Sequence, residues 1–223
     1  MPYRAAVFDL DGTLLDTLDD LAAATNHALA SQGLPGRTTD EVRHAVGNGI
    51  RRLVERVVPK GSPQDVIDAT FAEFNAYYAT HCNDRTAPYP GVRQMVDELR
   101  AAHVSCAVIS NKADYAVQEL MELHFDGWFD LAQGQLAGVA LKPAPDSLLA
   151  VLARLGVDVE DAVYVGDSEV DVATAANAGC DCIGCAWGFR GEGALLAAGA
   201  TRVAQTPADV ASMVLCHDGD ARA

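Results

Sequence analysis

The sequence predicts an α/β protein: a Rossmann-like core, with a parallel sheet and helices on both faces, and an α-helical cap inserted after the first strand. Three observations carry this reading. From residue 88 onward, short apolar runs alternate with amphipathic segments, the pattern of parallel strands joined by crossover helices. One further apolar run stands alone near the N-terminus, and everything between it and residue 88 reads as helix. Polar clusters follow several of the apolar runs, where open parallel sheets bind their ligands.

The first run, Arg4-Ala5-Ala6-Val7-Phe8-Asp9-Leu10, is a buried strand stopped by the turn residues Asp11-Gly12-Thr13. From Asp16 to about Thr86 the periodicity is helical, with Leu18, Leu21, Ala22, Thr25 and Leu29 on one face, and four helices and no strand are expected. Thr38 and Glu41 have capping-box spacing, and Ser62-Pro63 places a cap residue before a proline at a first helical position. Helices over 91–102, 113–124, 145–155 and 169–178 then alternate with strands over 104–109, 128–132, 162–165 and 181–185. A strand near 201–204 and a helix capped by Thr206-Pro207 end the series. The expected division is a core of residues 1–15 and 88–223 and a cap of residues 16–87.

A length of 223 residues suits one domain with a large insertion or two unequal ones, and 50% hydrophobic with 21% charged residues is ample for a closed core. No apolar run approaches the roughly 20 residues of a membrane span, so a cytoplasmic protein with no membrane partner is expected. The net charge of −15 repels a phosphate backbone and excludes nucleic acid as a partner. It also opposes small anions, so a phosphate-handling site must bring its own cations. The six cysteines lie mostly in apolar segments and are expected as reduced thiols. Cys180, Cys182 and Cys185 sit on a strand whose alternation turns neighbours to opposite faces, which suits packing rather than a metal cluster. The six histidines form no pair at metal-ligand spacing, and Tyr77 and Tyr78 are assigned to packing at the end of a cap helix.

Four strand ends or following loops carry the chemistry: Asp9-Leu10-Asp11-Gly12-Thr13, Ser110-Asn111-Lys112, Lys142-Pro143 and Gly166-Asp167-Ser168-Glu169-Val170-Asp171. Each alone is an ordinary turn or cap. Together they bring acids from two strand ends to one edge of the sheet, where like charges repel unless a cation intervenes. Carboxylate oxygens with no histidine or cysteine beside them suit Mg²⁺. Lys112 and Lys142 add positive charge for a second anion, a phosphate.

In this order the four segments resemble the motifs of the haloacid dehalogenase superfamily: DxDGT, then Ser/Thr, then Lys, then GDSxxD. The likeness spans nearly the whole chain, since the helical insertion resembles that superfamily's cap. It implies that Asp9 attacks phosphorus to form an aspartyl-phosphate, and that Asp11 is the acid and base. Ser110 and Lys142 would hold the transferring group, with Thr13 and Asn111 assisting. It further implies Mg²⁺ as cofactor on the carboxylates of Asp9 and Asp167 and the main-chain carbonyl of Asp11, with Asp171 close by, directly or through water. The second aspartate, Asp11, marks a phosphatase rather than a dehalogenase.

Val46-Gly47-Asn48-Gly49-Ile50 is similar to the GNG loop in the cap of phosphoglycolate phosphatases, and Cys185-Ala186-Trp187-Gly188-Phe189-Arg190 to their segment after the fifth core strand. The expected substrate is therefore 2-phosphoglycolate, its carboxylate met by cap amides at Gly47, Asn48 and Gly49 and by Arg51 or Arg52. The glycines also fit a simpler role, ending one helix and permitting the next. Broader sugar-phosphate or pyrophosphate hydrolysis and a β-phosphoglucomutase-like activity are the alternatives. A dinucleotide-binding protein is excluded because no G-x-G-x-x-G follows the first strand. The partner is then a small phosphate ester, with the chain a monomer or a homodimer. The tail from Cys216 to Ala223 has no packing pattern and is expected to fray.

Overall fold

The computed structural model describes residues 2–216. In chain order the elements are β1 (Ala5–Phe8), β2 (Leu15–Asp16), α1 (Leu18–Ser31), α2 (Thr39–Ala45), α3 (Ile50–Val57), α4 (Gln64–His81), β3 (Ala87–Pro88), α5 (Val92–Ala101), β4 (Ser105–Ala113) and α6 (Asp114–Phe125). They continue with β5 (Leu131–Gln135), α7 (Asp146–Leu155), β6 (Ala162–Gly166), α8 (Glu169–Ala178), β7 (Asp181–Cys185), α9 (Glu192–Ala197), β8 (Val203–Ala204) and α10 (Pro207–Leu215). Six strands form one parallel sheet in the order β5-β4-β1-β6-β7-β8.

β1 is central and every one of its residues is fully buried, as a continuous apolar run requires of a strand covered on both faces. Alternation sorts the side chains: Ala6 and Phe8 join the core built with α5, α6 and α10, while Ala5 and Val7 face the layer of α7 and α8. The chain runs from β1 to β4 on one side and later returns to β6 on the other. The crevice beyond the C-terminal end of β1 is therefore the point where the strand order reverses.

The helices α1 to α4 pack on one another, and their buried side chains, among them Leu29, Leu53, Phe74 and Tyr78, are continuous with the core on the α5–α10 face. The chain leaves the sheet through β2 and returns through β3, and these pair antiparallel at Leu15↔Pro88 and Asp16↔Ala87. Asp20, in the first turn of α1, secures the return. Its carboxylate accepts the backbone N–H groups of Arg85 (3.0 Å) and Thr86 (2.9 Å) and the Thr86 hydroxyl (2.8 Å).

The α/β class and the helical cap agree with the sequence reading, and several boundaries differ. The segment expected to be all helix is bounded by the short β2–β3 ribbon, too short to show period-2 alternation. Ser62 does not cap α4: Pro63 holds the N-cap position, and the Ser62 hydroxyl donates to the Pro59 carbonyl at 2.7 Å. The Thr38–Glu41 capping box is present. The strand expected over 128–132 lies at Leu131–Gln135, because Trp128 and Phe129 pack sideways onto the core, with Phe129 edge-on to Phe8 and Phe125. β4 runs on to Ala113, past an irregularity in its pairing with β5. The helix α9 was not expected; Gly191 and Gly193 mask its short apolar pattern. Cys180 and Cys185 are buried, while Cys216 is exposed; residues 217–223, where fraying is expected, lie outside the described residues.

Because Asp20 is buried and accepts the backbone N–H groups of Arg85 and Thr86, Asp20→Ala leaves those two backbone donors unpaired, while the Thr86 hydroxyl keeps the Cys82 carbonyl at 3.0 Å. The expected cost is about 3 kcal/mol of unfolding free energy, read as a lower urea midpoint with an unchanged m-value.

Candidate active site

The site is assembled from strand ends. Asp9 is the first residue beyond β1, and its N–H still bonds the Val165 carbonyl at 2.9 Å, so its position is set by the sheet. Gly12, at φ +83°, then turns the chain sharply: a side chain there would strike the Asp167 carboxylate. Asp11 is thereby turned toward the cap linker, where the Thr17 hydroxyl donates to it at 2.8 Å. Asp167 follows β6, and Gly166 before it is required because a Cβ would run into Asp171.

Lys142 organises the acids. Its Nζ lies 2.9 Å from Asp9 Oδ1, 2.8 Å from Asp171 Oδ1 and 2.9 Å from the Tyr164 hydroxyl. Asp171 is fully buried, and its second oxygen accepts from the Ser168 N–H (3.1 Å) and hydroxyl (2.6 Å) at the start of α8. Asp9 Oδ1 also accepts from the Leu10 N–H at 2.7 Å, and among the described residues no hydrogen bond engages its Oδ2. Lys112 forms a second buried pair, with Nζ 2.8 and 3.1 Å from the two Asp11 oxygens and 4.8 Å from the centre of the Tyr78 ring.

Burial pushes the Asp9 carboxyl up to about 7; Lys142 opposes the shift and Asp171 adds to it. Burial also raises Asp167 well above the usual carboxylate range, reinforced by the charges of Asp171 and Asp9 and opposed by the Phe189 N–H bonded to it at 2.6 Å. Burial would pull both lysines down. The charge of Asp11 on Lys112, and of Asp171 and Asp9 on Lys142, outweighs it and holds both ammonium groups above their ordinary value.

Asp9, Asp167 and Asp171 can bring one oxygen each within 4.8 Å of one another. That crowded, oxygen-only donor set fits a hard divalent cation. Thr13 Oγ1 is buried without a hydrogen-bond partner, as expected of a hydroxyl that awaits one.

A cavity of about 540 Å³, open to solvent, lies over these groups. Asp9, Asp11, Ser110, Asn111, Lys112, Lys142 and Asp167 line its core side, and Leu21, Val46, Gly47, Gly49, Ile50 and Leu53 its cap side. The structure therefore brings many of the sequence-predicted residues to the cavity; Thr13 and Asp171 are buried outside its lining, Arg51 and Asn48 lie off it, and Asn111 lines it with a structural task of its own. Arg51 lies off the cavity, paired with Asp68 (2.5 Å) and Glu55 (3.4 Å) and stacked over Phe71, because its helical position points it at α4. Asn48 turns outward to accept from Arg56 at 2.7 Å. Asn111 is a clamp: it accepts the Lys142 N–H (2.8 Å) and donates to the carbonyls of Lys142 and Gly47 (3.0 Å each), which leaves its amide hydrogens spent.

Arg190 and Tyr164 were given no site role by the sequence, and Tyr78 was assigned to packing in the cap. Arg190, in the loop after β7, donates to the carbonyls of Arg43 and Val46 (2.7 Å to the latter) and pairs with Glu169 at 3.1 Å. It ties the C-terminal end of α2 to the core. Its one local signal was the Trp187-Gly188-Phe189-Arg190 segment; the partners of both tyrosines lie on distant elements.

Buried lysines beside a carboxylate cluster, at the switch point of a parallel sheet, are the arrangement suited to an enzyme that handles an anion and a hard cation together. The profile of a family described as haloacid dehalogenase-like hydrolase matches residues 6–185. The chain is 37% identical over 193 residues to the phosphoglycolate phosphatase of Pseudomonas putida KT2440, covering 83% of this chain and 70% of that one. It is 33% identical over 188 residues to the phosphoglycolate phosphatase of Agrobacterium fabrum C58, covering 82% and 81%. Among solved structures, a candidate phosphoglycolate phosphatase from Lactobacillus delbrueckii subsp. bulgaricus superposes with a TM-score of 0.93 at 35% identity, over 97% of this chain and 100% of that one. The chain belongs to the haloacid dehalogenase-like hydrolases, and within them it is a phosphatase.

Removing Asp171 would leave the Lys142 ammonium and the Tyr164 hydroxyl facing an apolar gap. Asp171→Ala is expected to cost about 3–5 kcal/mol of stability in urea unfolding; a loss below about 1 kcal/mol would contradict the role given to this residue.

Proposed function

We propose that the chain is a Mg²⁺-dependent phosphomonoester hydrolase that works through an aspartyl-phosphate on Asp9, with 2-phosphoglycolate as substrate. The observation that carries this reading is the convergence of Asp9, Asp11, Ser110, Lys142 and Asp167 on one cavity from four strand ends. The names of the relatives and a cap wall of small and apolar residues support a short substrate over a sugar.

In this mechanism Ser110 and Lys142 bind the phosphoryl oxygens, and the unengaged Oδ2 of Asp9 attacks phosphorus in line with the ester bond. As the Asp9–phosphorus bond forms, the phosphorus–oxygen bond of the ester breaks, and the leaving oxygen takes a proton from Asp11. Asp11 then removes a proton from the incoming water, whose oxygen displaces Asp9 from phosphorus. Inorganic phosphate is released and the Asp9 carboxylate is restored. A magnesium ion held by Asp9, Asp167 and the Asp11 carbonyl, with Asp171 behind, would neutralise charge on the phosphoryl group. Asp171 serves chiefly to hold Lys142. Closure of the cap over a bound ester would exclude bulk water from it.

Phosphate release from 2-phosphoglycolate is expected to disappear with EDTA, and to fall more than about 1000-fold in Asp9→Asn. Retained turnover in either case overturns the mechanism. In a panel of phosphate esters, pyrophosphate and glucose 1-phosphate, 2-phosphoglycolate should rank first in kcat/KM; formation of a 6-phosphate isomer from glucose 1-phosphate without free phosphate would identify a mutase instead.

The pH dependence of metal binding follows from the raised Asp9. Below about 7 its carboxyl retains the proton that burial favours, and a cation must displace it; above that value the ionised group is available. The rise in Tm produced by a fixed magnesium concentration should thus be larger at pH 8 than at pH 5.5, and an equal or reversed increment would contradict the assignment.

A further inference from the structure

A carboxylate-bearing substrate must find a cation in the cavity besides the one that holds its phosphoryl group. Among the described residues three cationic side chains line it: Lys112, Lys142 and Arg190. Lys142 is committed to Asp9 and Asp171 beside the nucleophile. Arg190 is committed to Glu169 and to two carbonyls at the end of α2. Arg51 lies outside, held by Asp68 and Glu55.

Lys112 differs in what it holds. Its only ion-pair partner among the described residues is Asp11, the residue that must turn to the leaving oxygen for the ester to break. In 2-phosphoglycolate the carboxylate is attached to the same carbon as that oxygen. A cation in contact with Asp11 is consequently placed where the substrate carboxylate arrives. A second observation points to the same spot. The Tyr78 hydroxyl, on α4, is buried with no hydrogen-bond partner, and its ring lies against the Lys112 ammonium. Leu21, Val46, Ile50 and Leu53 complete the wall and offer nothing to the hydroxyls of a sugar.

We propose that Lys112 is the specificity residue of this phosphatase. It binds the substrate carboxylate in exchange for Asp11, with the Tyr78 hydroxyl donating to the same carboxylate; the released Asp11 takes up a proton from solvent in the open cavity and turns to the leaving oxygen as its acid. The buried ammonium is never left unpaired, since one carboxylate replaces another. The inference rests on 2-phosphoglycolate being the substrate, and it replaces the cap arginines with a core lysine as the reader of the acid.

The test compares 2-phosphoglycolate with ethyl phosphate, which has the same phosphate and chain length but a methyl group in place of the carboxylate. The readout is the ratio of their kcat/KM values, measured with magnesium in the wild type, Lys112→Met, Lys112→Arg and Tyr78→Phe. Loss of a charge-assisted contact should lower the ratio about 10- to 100-fold in Lys112→Met, with Lys112→Arg between it and the wild type. Tyr78→Phe removes only an unpartnered atom, so it folds, and it should lower the ratio about 3- to 10-fold. If Lys112→Met is insoluble, the tyrosine variant decides alone. A wild-type ratio that persists in Lys112→Met, or in Tyr78→Phe where it alone is available, means that Lys112 merely anchors Asp11 and overturns the inference while the substrate reading stands. A wild type that does not prefer 2-phosphoglycolate over ethyl phosphate overturns both.

Discussion

The buried contact of Lys142 with Asp9 and Asp171 is the interaction around which the rest of this molecule is arranged. Taking three charged groups out of water is costly, and the cost is met only if every polar atom has a partner at good geometry. Asp171 meets that demand with four contacts, from Lys142, the Tyr164 hydroxyl and the N–H and hydroxyl of Ser168. Those partners come from a loop, a strand and a helix start that only the parallel sheet brings together. Burial, reinforced by the charges of neighbouring acids, raises Asp9 and Asp167, and the excess of carboxylates over lysines makes the pocket receptive to a cation.

A second constraint joins cap to core. Arg190 and Asn111, both on the core, bind the carbonyls of Arg43 in the last turn of α2 and of Val46 and Gly47 just after it. The Gly47–Gly49 segment is thereby held by its backbone at the cavity that Asp9, Asp11 and Asp167 line, and glycine at both ends permits it: Gly47 has φ +112° and Gly49 φ +81°. The two links between the domains are pinned by the β2–β3 pairing and by Asp20. The cap is thus fastened at its hinge by strong buried bonds and at its rim by a few partly exposed ones, the distribution expected of a lid that opens from the rim.

Much of the core and of its carboxylate centre was legible in the chain. Asp9, Asp11, Asp167 and Lys142 end or follow apolar runs whose burial fixes them at the carboxyl edge of the sheet, and α8 and β7 fell where periodicity placed them. Legibility failed where the deciding partner is remote in sequence. Arg51 stands one residue inside α3 and reads as a residue that faces a ligand, yet Asp68 on α4 claims it. Asn111 reads as a substrate contact beside Ser110, but its amide is spent on Lys142 and Gly47. Short strands such as β2 and β3 carry no period, so only their pairing reveals them.

By itself the sequence determined the alternation of strands and helices, the insertion of a helical segment after β1, and the acidic strand ends that call for a cation. These are local properties: burial period, turn residues and charge within a few positions of one another. The tertiary structure alone decided which cation serves which acid, with Lys142 beside Asp9 and Lys112 beside Asp11, and which side chains the cap leaves facing the cavity. The reason is that an ion pair in a buried site depends on separations of about 3 Å between residues more than a hundred positions apart, such as Asp9 with Lys142 and Asp11 with Lys112, and no pattern along the chain encodes that distance.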